Sequence, residues 1–174
     1  MTKMFAPILA FTCDEIWLSM PHSSKDDVRN VVLNTMDAPF VSYALDAAEM
    51  AKWDTLIALR NDVNGVLELA RAEKRIGKPL DAAVVLRASD DVAAALEPVK
   101  TMNLSELFIV SKCLFSDEEV PGAVVGSGSA FPGLTVSVRE ADGSKCPRCW
   151  IHTTEPDPQT GLCPRCSRVV AKLS

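Results

Sequence analysis

The sequence predicts an α+β protein in three pieces: a helical piece over residues 1–78, a small α/β subdomain over 79–142, and a four-cysteine zinc-binding tail over 143–174. Three observations predict it. Apolar residues recur at helical spacing through the first half. The pattern then turns to short β-like runs. Four cysteines near the end are spaced C-x2-C-x13-C-x2-C.

The first helix is expected over about 4–20. Phe5, Ile8, Leu9, Thr12 and Ile16 fall at helical spacing, and Pro21 follows the end. Residues 21–44 read as irregular. A long helix is expected over about 46–76. Leu56, Leu59, Val63, Val66 and Ala70 step by three and four, Trp53, Ile57 and Leu67 widen the stripe, and Lys52, Asp62, Glu68 and Glu73 mark the opposite, charged face. Gly77 is the expected stop, with Arg71, Lys74 and Arg75 at the negative end of the helix dipole. Ala82–Leu86 reads as a strand. Ser89 or Asp90 is placed to cap a short helix to about 97, and Thr101 or Asn103 a further turn before a strand at Phe108-Ile109-Val110. A Gly/Ser-rich loop over 121–133 precedes an alternating strand, Leu134–Arg139, and Asp142-Gly143 makes a turn into the tail.

Composition narrows the function classes. With 48% apolar residues the chain can bury a core. No apolar run approaches the ~20 residues of a membrane span, and the N-terminus lacks the pattern of a signal peptide, so a cytoplasmic location is expected. The net charge of −5 argues against nucleic-acid binding by the whole surface. The tail is different: Lys145, Arg148, Arg165, Arg168 and Lys172 face only Glu155 and Asp157. Four zinc-bound thiolates and one divalent cation would lower that excess to about one positive charge.

Cys146, Cys149, Cys163 and Cys166 are the expected metal ligands. Two residues between cysteines let both thiolates of a tight turn point at one ion, and two such turns complete a tetrahedron. With all four positions filled by protein, no place remains for a catalytic water, so one structural Zn2+ per chain is expected. A rubredoxin-type iron centre uses similar spacing. Cys13 and Cys113 read as buried small hydrophobes.

The tail segments Lys145-Cys146-Pro147-Arg148-Cys149-Trp150 and Leu162-Cys163-Pro164-Arg165-Cys166 resemble the zinc-binding end of bacterial isoleucyl-tRNA synthetases. A related finger ends the formamidopyrimidine-DNA glycosylases. Two upstream segments separate the families. Residues 6–17, APILAFTCDEIW, are similar to the synthetases' LAPILPFTADEIW helix. Residues 59–82, from Leu59-Arg60 through Leu67-Glu68-Leu69-Ala70-Arg71 to Ile76-Gly77-Lys78-Pro79-Leu80, are similar to their LR..V...LE.AR..K.IGKSLEA segment. Ala10 and Pro79 depart from the usual Pro and Ser. The HIGH-type and KMSKS-type motifs that hold ATP do not occur here, nor does an editing-domain signature. The glycosylase alternative also needs an N-terminal proline, whereas this chain begins Met1-Thr2.

The resemblance implies the end of an anticodon-binding bundle followed by the zinc tail. It implies no catalytic residue in the chain itself, isoleucine tRNA and the remainder of the synthetase as partners, and neither membrane nor DNA. Lys145, Arg148, Trp150, Arg165, Arg168 and Lys172 are the expected RNA contacts: a ring held on a metal-fixed turn, with cations around it for phosphates. The alternative is a structural cap, in which Trp150 packs on the metal core and Arg148 and Arg165 donate to thiolates.

Overall fold

Pro7 decides the shape of the first helical segment. A proline inside a helix removes a donor and clashes with the preceding turn. In the computed structural model, which describes residues 1–36 and 38–173, the single helix expected over 4–20 is therefore two: α1, Thr2–Phe5, and α2, Ala10–Ser19. The break also changes the buried face. Ala6, Cys13 and Trp17 turn inward and pack with Val31, whereas the expected stripe of Phe5, Ile8, Leu9, Thr12 and Ile16 is exposed.

Polar clamps order the stretch that follows. The Trp17 indole Nε1 donates to the Asp27 carbonyl at 3.0 Å, and the Asp14 carboxylate accepts from the Val31 N–H at 3.0 Å. The Asn34 amide donates to the carbonyls of Asp27 and Asn30, at 2.9 and 3.0 Å, and accepts from the Asp27 N–H at 2.8 Å. These residues belong to one compact unit, Met1–Leu45; the second is Asp46–Ser174.

The second unit is built on the long helix α3, Ala47–Ala72. The Asp46 carboxylate caps it by accepting from the Glu49 N–H at 2.8 Å. Leu56, Leu59, Val63, Val66, Leu67 and Ala70 are buried as the periodicity predicts. Trp53 and Ile57 do not widen the stripe; both are exposed. The stop lies three residues before Gly77, with Lys74 left-handed at φ 57°. The Arg75 N–H reaches the Ala70 carbonyl at 2.9 Å and the Lys74 N–H the Arg71 carbonyl at 3.0 Å, a Schellman closure with lysine where glycine is usual.

A four-stranded mixed sheet forms against α3. Its strands are β1, Ala82–Ala88; β2, Lys112–Phe115; β3, Val124–Ser127; and β4, Leu134–Glu140, in the order β2-β1-β4-β3. β1 and β2 run parallel, and the other neighbours are antiparallel. Ala82–Leu86 of the central strand are all buried, while β4 buries Leu134, Val136 and Val138 in alternation. Helices α4, Asp90–Leu96, and α5, Leu104–Phe108, carry the chain from β1 to β2. The strand expected at 108–110 is displaced to 112–115. Phe108 ends α5 and Ile109 takes a left-handed turn, φ 58°; the Ser105 hydroxyl then accepts from the Cys113 N–H at 2.8 Å and starts the strand.

Two features of the 121–133 segment escaped the sequence. β3 lies within it because Gly126 lets Val66 of α3 sit on the strand; a Cβ there would come 2.5 Å from Val66 Cγ2. Asp62, read as part of the charged face of α3, is buried. Its carboxylate accepts from the N–H groups of Ser129 at 2.8 Å, Ala130 at 3.0 Å and Phe131 at 3.1 Å, which fixes the loop before β4.

Candidate metal centre

β4 leads through Gly143 into a two-stranded ladder, β5, Ser144–Lys145, and β6, His152–Thr153, with Cys146 and Cys149 in the turn between them. The Cys146 N–H donates to the Ile151 carbonyl at 2.9 Å and the Trp150 N–H to the Cys146 carbonyl at 3.0 Å, which closes the first knuckle. Cys163 precedes helix α6, Pro164–Val170, and Cys166 lies in its first turn. Asp157 orders the intervening loop: its carboxylate accepts from the N–H groups of Gln159 and Thr160, and its own N–H reaches the Leu162 carbonyl at 2.8 Å.

These two local structures bring the four sulfurs within 4.8 Å of one another. A zinc tetrahedron with Zn–S bonds of ~2.3 Å has edges of about 3.8 Å, so the cluster has the size of that site. Cys146, Cys163 and Cys166 are buried and Cys149 is partly exposed. The Cys163 N–H lies 3.3 Å from Cys146 Sγ, and the Arg148 guanidinium 3.7 Å from Cys166 Sγ. Burial works against the Cys146 thiolate, but N–H groups of Cys149, Cys163 and Arg148 outweigh it and hold that thiol at about 6. The Arg148 hydrogen bond likewise lowers Cys166, while burial pushes Cys149 up to about 12. A divalent cation at the centre of the cluster would favour every thiolate by attraction. The donor set can hold a metal ion and is compatible with zinc.

The remaining residues singled out in the sequence differ in their surroundings. Arg148 is turned to Cys166, and Arg165 lies 3.5 Å from Glu106 with its charge held by the Cys149 and Cys166 sulfurs. Lys145 pairs with Asp81 at 2.9 Å. Arg168 and Lys172 are exposed on and just beyond α6. Trp150 is 55% exposed, although it follows a ligand directly, and its backbone is left-handed at φ 67°. The Lys78 ammonium lies 5.7 Å from its ring centroid.

Sequence reasoning passed over the residues that join the cysteine module to the sheet. Ser111 Oγ donates to the Leu80 carbonyl at 2.5 Å and accepts from the His152 N–H at 2.6 Å. Asp81 accepts from Lys145 and from the Lys78 N–H at 2.9 Å, and Lys145 above all holds its carboxyl below the usual range. Asp81 lies in the 59–82 segment and Ser111 in no motif, and for both only their positions in space disclose the role. Cys13 is buried as expected, whereas Cys113 is only partly buried and packs against the core of the second unit, where desolvation pushes its thiol up to about 12. Among the described residues no helix is long and apolar enough to cross a membrane.

No family model matches the chain. Its curated relatives include the isoleucine–tRNA ligase of Staphylococcus carnosus (strain TM300), 38% identical over 99% of this chain. Those of Staphylococcus haemolyticus (strain JCSC1435), at 39%, and Staphylococcus aureus (strain Newman), at 38%, also align over 99% of it. In each case the chain spans only 18% of the relative's length, consistent with a C-terminal fragment of such a ligase.

Proposed function

We propose that this chain is the tRNA-binding C-terminal region of an isoleucyl-tRNA synthetase, that its four cysteines hold one structural zinc ion, and that it contacts the anticodon end of isoleucine tRNA. The continuous similarity to isoleucine–tRNA ligases along 99% of the chain carries this reading. Ligation of isoleucine to tRNA with ATP, and editing, would belong to the remainder of the enzyme in the cytoplasm. Residues 1–78 would belong functionally with the anticodon-binding bundle, 79–142 would be the α/β subdomain, and 143–174 the metal-bearing tail. Helix α3 would serve both bundle and sheet: it buries one face on the sheet and keeps Met50, Trp53 and Ile57 exposed at helical spacing.

Trp150 is the strongest candidate for a base contact. A bulky side chain in a left-handed backbone is strained. The ring is also mostly exposed, so burial does not offset that strain. Stacking of a splayed base is worth about 1–3 kcal/mol by alanine substitution. Trp150→Ala is therefore expected to weaken binding of the isoleucine-tRNA anticodon stem-loop roughly 5- to 150-fold with zinc retained. The check is affinity and zinc content measured on the same protein. Unchanged affinity removes this residue from the RNA contact.

The structural-cap reading has its own support. Arg148 and Arg165 are directed at sulfurs, and Lys145 at Asp81. If it holds, Trp150→Ala loosens zinc and leaves affinity per folded molecule constant. In either reading the isolated chain is expected not to activate isoleucine, because the phosphate-cradling motifs are missing; isoleucine-dependent pyrophosphate exchange above a blank would refute that.

A further inference from the structure

The C-terminal end of α3 and the β5–β6 ladder enclose a cleft of about 730 Å³. Its charged lining sets Arg71, Lys74, Arg75 and Lys145 against Asp81 and Glu140. In a chain of net charge −5 that is a local reversal of sign. Asp81 is already engaged by Lys145 at 2.9 Å and by the Lys78 N–H at 2.9 Å. His152 stands in the same wall, 14% exposed. Both ring nitrogens are buried without a hydrogen-bond partner; Nε2 is within ion-pair reach of Asp81 Oδ1 at 3.4 Å but not in hydrogen-bonding geometry.

Lys74 is the most informative residue of the set. It occupies the left-handed stop of α3, a position that glycine fills without strain. Its side chain is exposed, and among the described residues its ammonium meets no carboxylate. Nothing in the fold requires lysine there. Lys74 lines the cleft together with Lys145, whose neighbour across the ladder is His152. Beyond the cleft, Lys78 leads to Trp150.

We propose that this cleft seats a backbone phosphate of the bound RNA, held by Lys74, Arg71 and Arg75 from the helix end and by Lys145 from the metal-bearing ladder. The inference rests on the RNA-binding reading and adds to it a second contact, built mostly from residues outside the tail. A phosphodiester fits the chemistry: it is anionic, offers several acceptor oxygens to cations converging from two elements, and needs no apolar pocket. It would also give Trp150 a fixed distance from the RNA backbone, so that a splayed base meets the ring in one register.

Lys74→Gly tests this with little structural ambiguity, because glycine relieves the left-handed backbone while removing the charge. With the zinc-loaded chain and the isoleucine-tRNA anticodon stem-loop as probe, we expect affinity to fall about 3- to 10-fold at low salt and the log–log salt slope to shrink by about 0.7–0.9. Tm should stay the same or rise by about 2–4 °C. Arg71→Gln, at an exposed helix position, should act in the same direction. The loss should be equal for a stem-loop with an altered loop sequence, as a phosphate contact demands. A loss confined to the cognate loop would overturn the phosphate seat. Wild-type affinity and slope in both variants would overturn the cleft while leaving RNA binding standing. Absence of any binding by the unsubstituted chain would overturn the RNA reading and the cleft together.

Discussion

Removing the metal is expected to unfold the chain beyond about residue 143 and to leave α3 and the four-stranded sheet in place. The cysteine module has almost no core of its own: among the described residues, only the partly buried Ile151 and Leu162 join the cysteines in it. So small an assembly cannot offset the conformational entropy of ordering some thirty residues. Zinc binding in comparable peptides contributes about 10–16 kcal/mol of apparent free energy, and a bound ion would supply the module's folding free energy in the same way. The sheet does not depend on it in the same way, since α3, β1 and β4 bury a continuous set of side chains. Chelation followed by amide exchange would show protection lost at 144–173 and kept at 56–70 and 82–88. Collapse of the helical circular-dichroism signal together with the metal would contradict this. Cys163→Ser should reproduce the chelated state.

Asp62→Ala should destabilise the second unit by about 2–3 kcal/mol, a sizeable share of the 5–15 kcal/mol that usually holds a domain together. The substitution removes a buried carboxylate that accepts from three N–H groups, those of Ser129, Ala130 and Phe131, in partly buried hydrogen bonds. It also releases the loop that turns the chain from β3 back into β4. Asp62→Asn keeps one acceptor oxygen and should cost about 1–2 kcal/mol. Urea titration of both variants provides the check. An alanine variant within ~0.5 kcal/mol of the parent, the range of ordinary surface changes, would mean that the loop finds other partners and that the carboxylate is dispensable.

Asp62 also shows where one-dimensional reading stops. Its place in the sequence is that of any surface acid on an amphipathic helix, and its partners lie 67 to 69 residues away. β3 was hidden for a related reason. Gly126 weakens strand propensity, yet the helix above the strand needs that glycine. By contrast, the buried stripe of α3, the central strand β1 and the alternation of β4 were legible, because burial imposes a period on consecutive residues. The α+β class was legible for the same reason. The cysteine cluster was legible because each half of a tetrahedral site is made by one tight turn, so its chemistry is written locally. The first helix misled because its exposed stripe is as apolar as its buried one, and Pro7 turns the other inward. The cleft could not be read, since it needs 71–78 and 145–152 side by side. Docking through Ser111 and Asp81 brings them there.

The register of the central strand pair has a consequence for synthesis. Ala88, the last residue of β1, pairs with Leu134, the first of β4, and the pairing runs back to Ala82 and Glu140. On a ribosome, α3 and β1 therefore emerge well before the strand that shields them, and some 45 residues must follow before the pair can close. Until then β1 offers one edge to β2 alone and α3 carries an uncovered apolar face. Such an interval favours chaperone capture or off-pathway pairing. The cysteine ladder begins only four residues after β4 ends. Cys163 and Cys166 emerge later still, so the four-sulfur cluster can assemble only after the sheet has closed, and an ion bound there would secure the sheet through Lys145, His152 and Ser111.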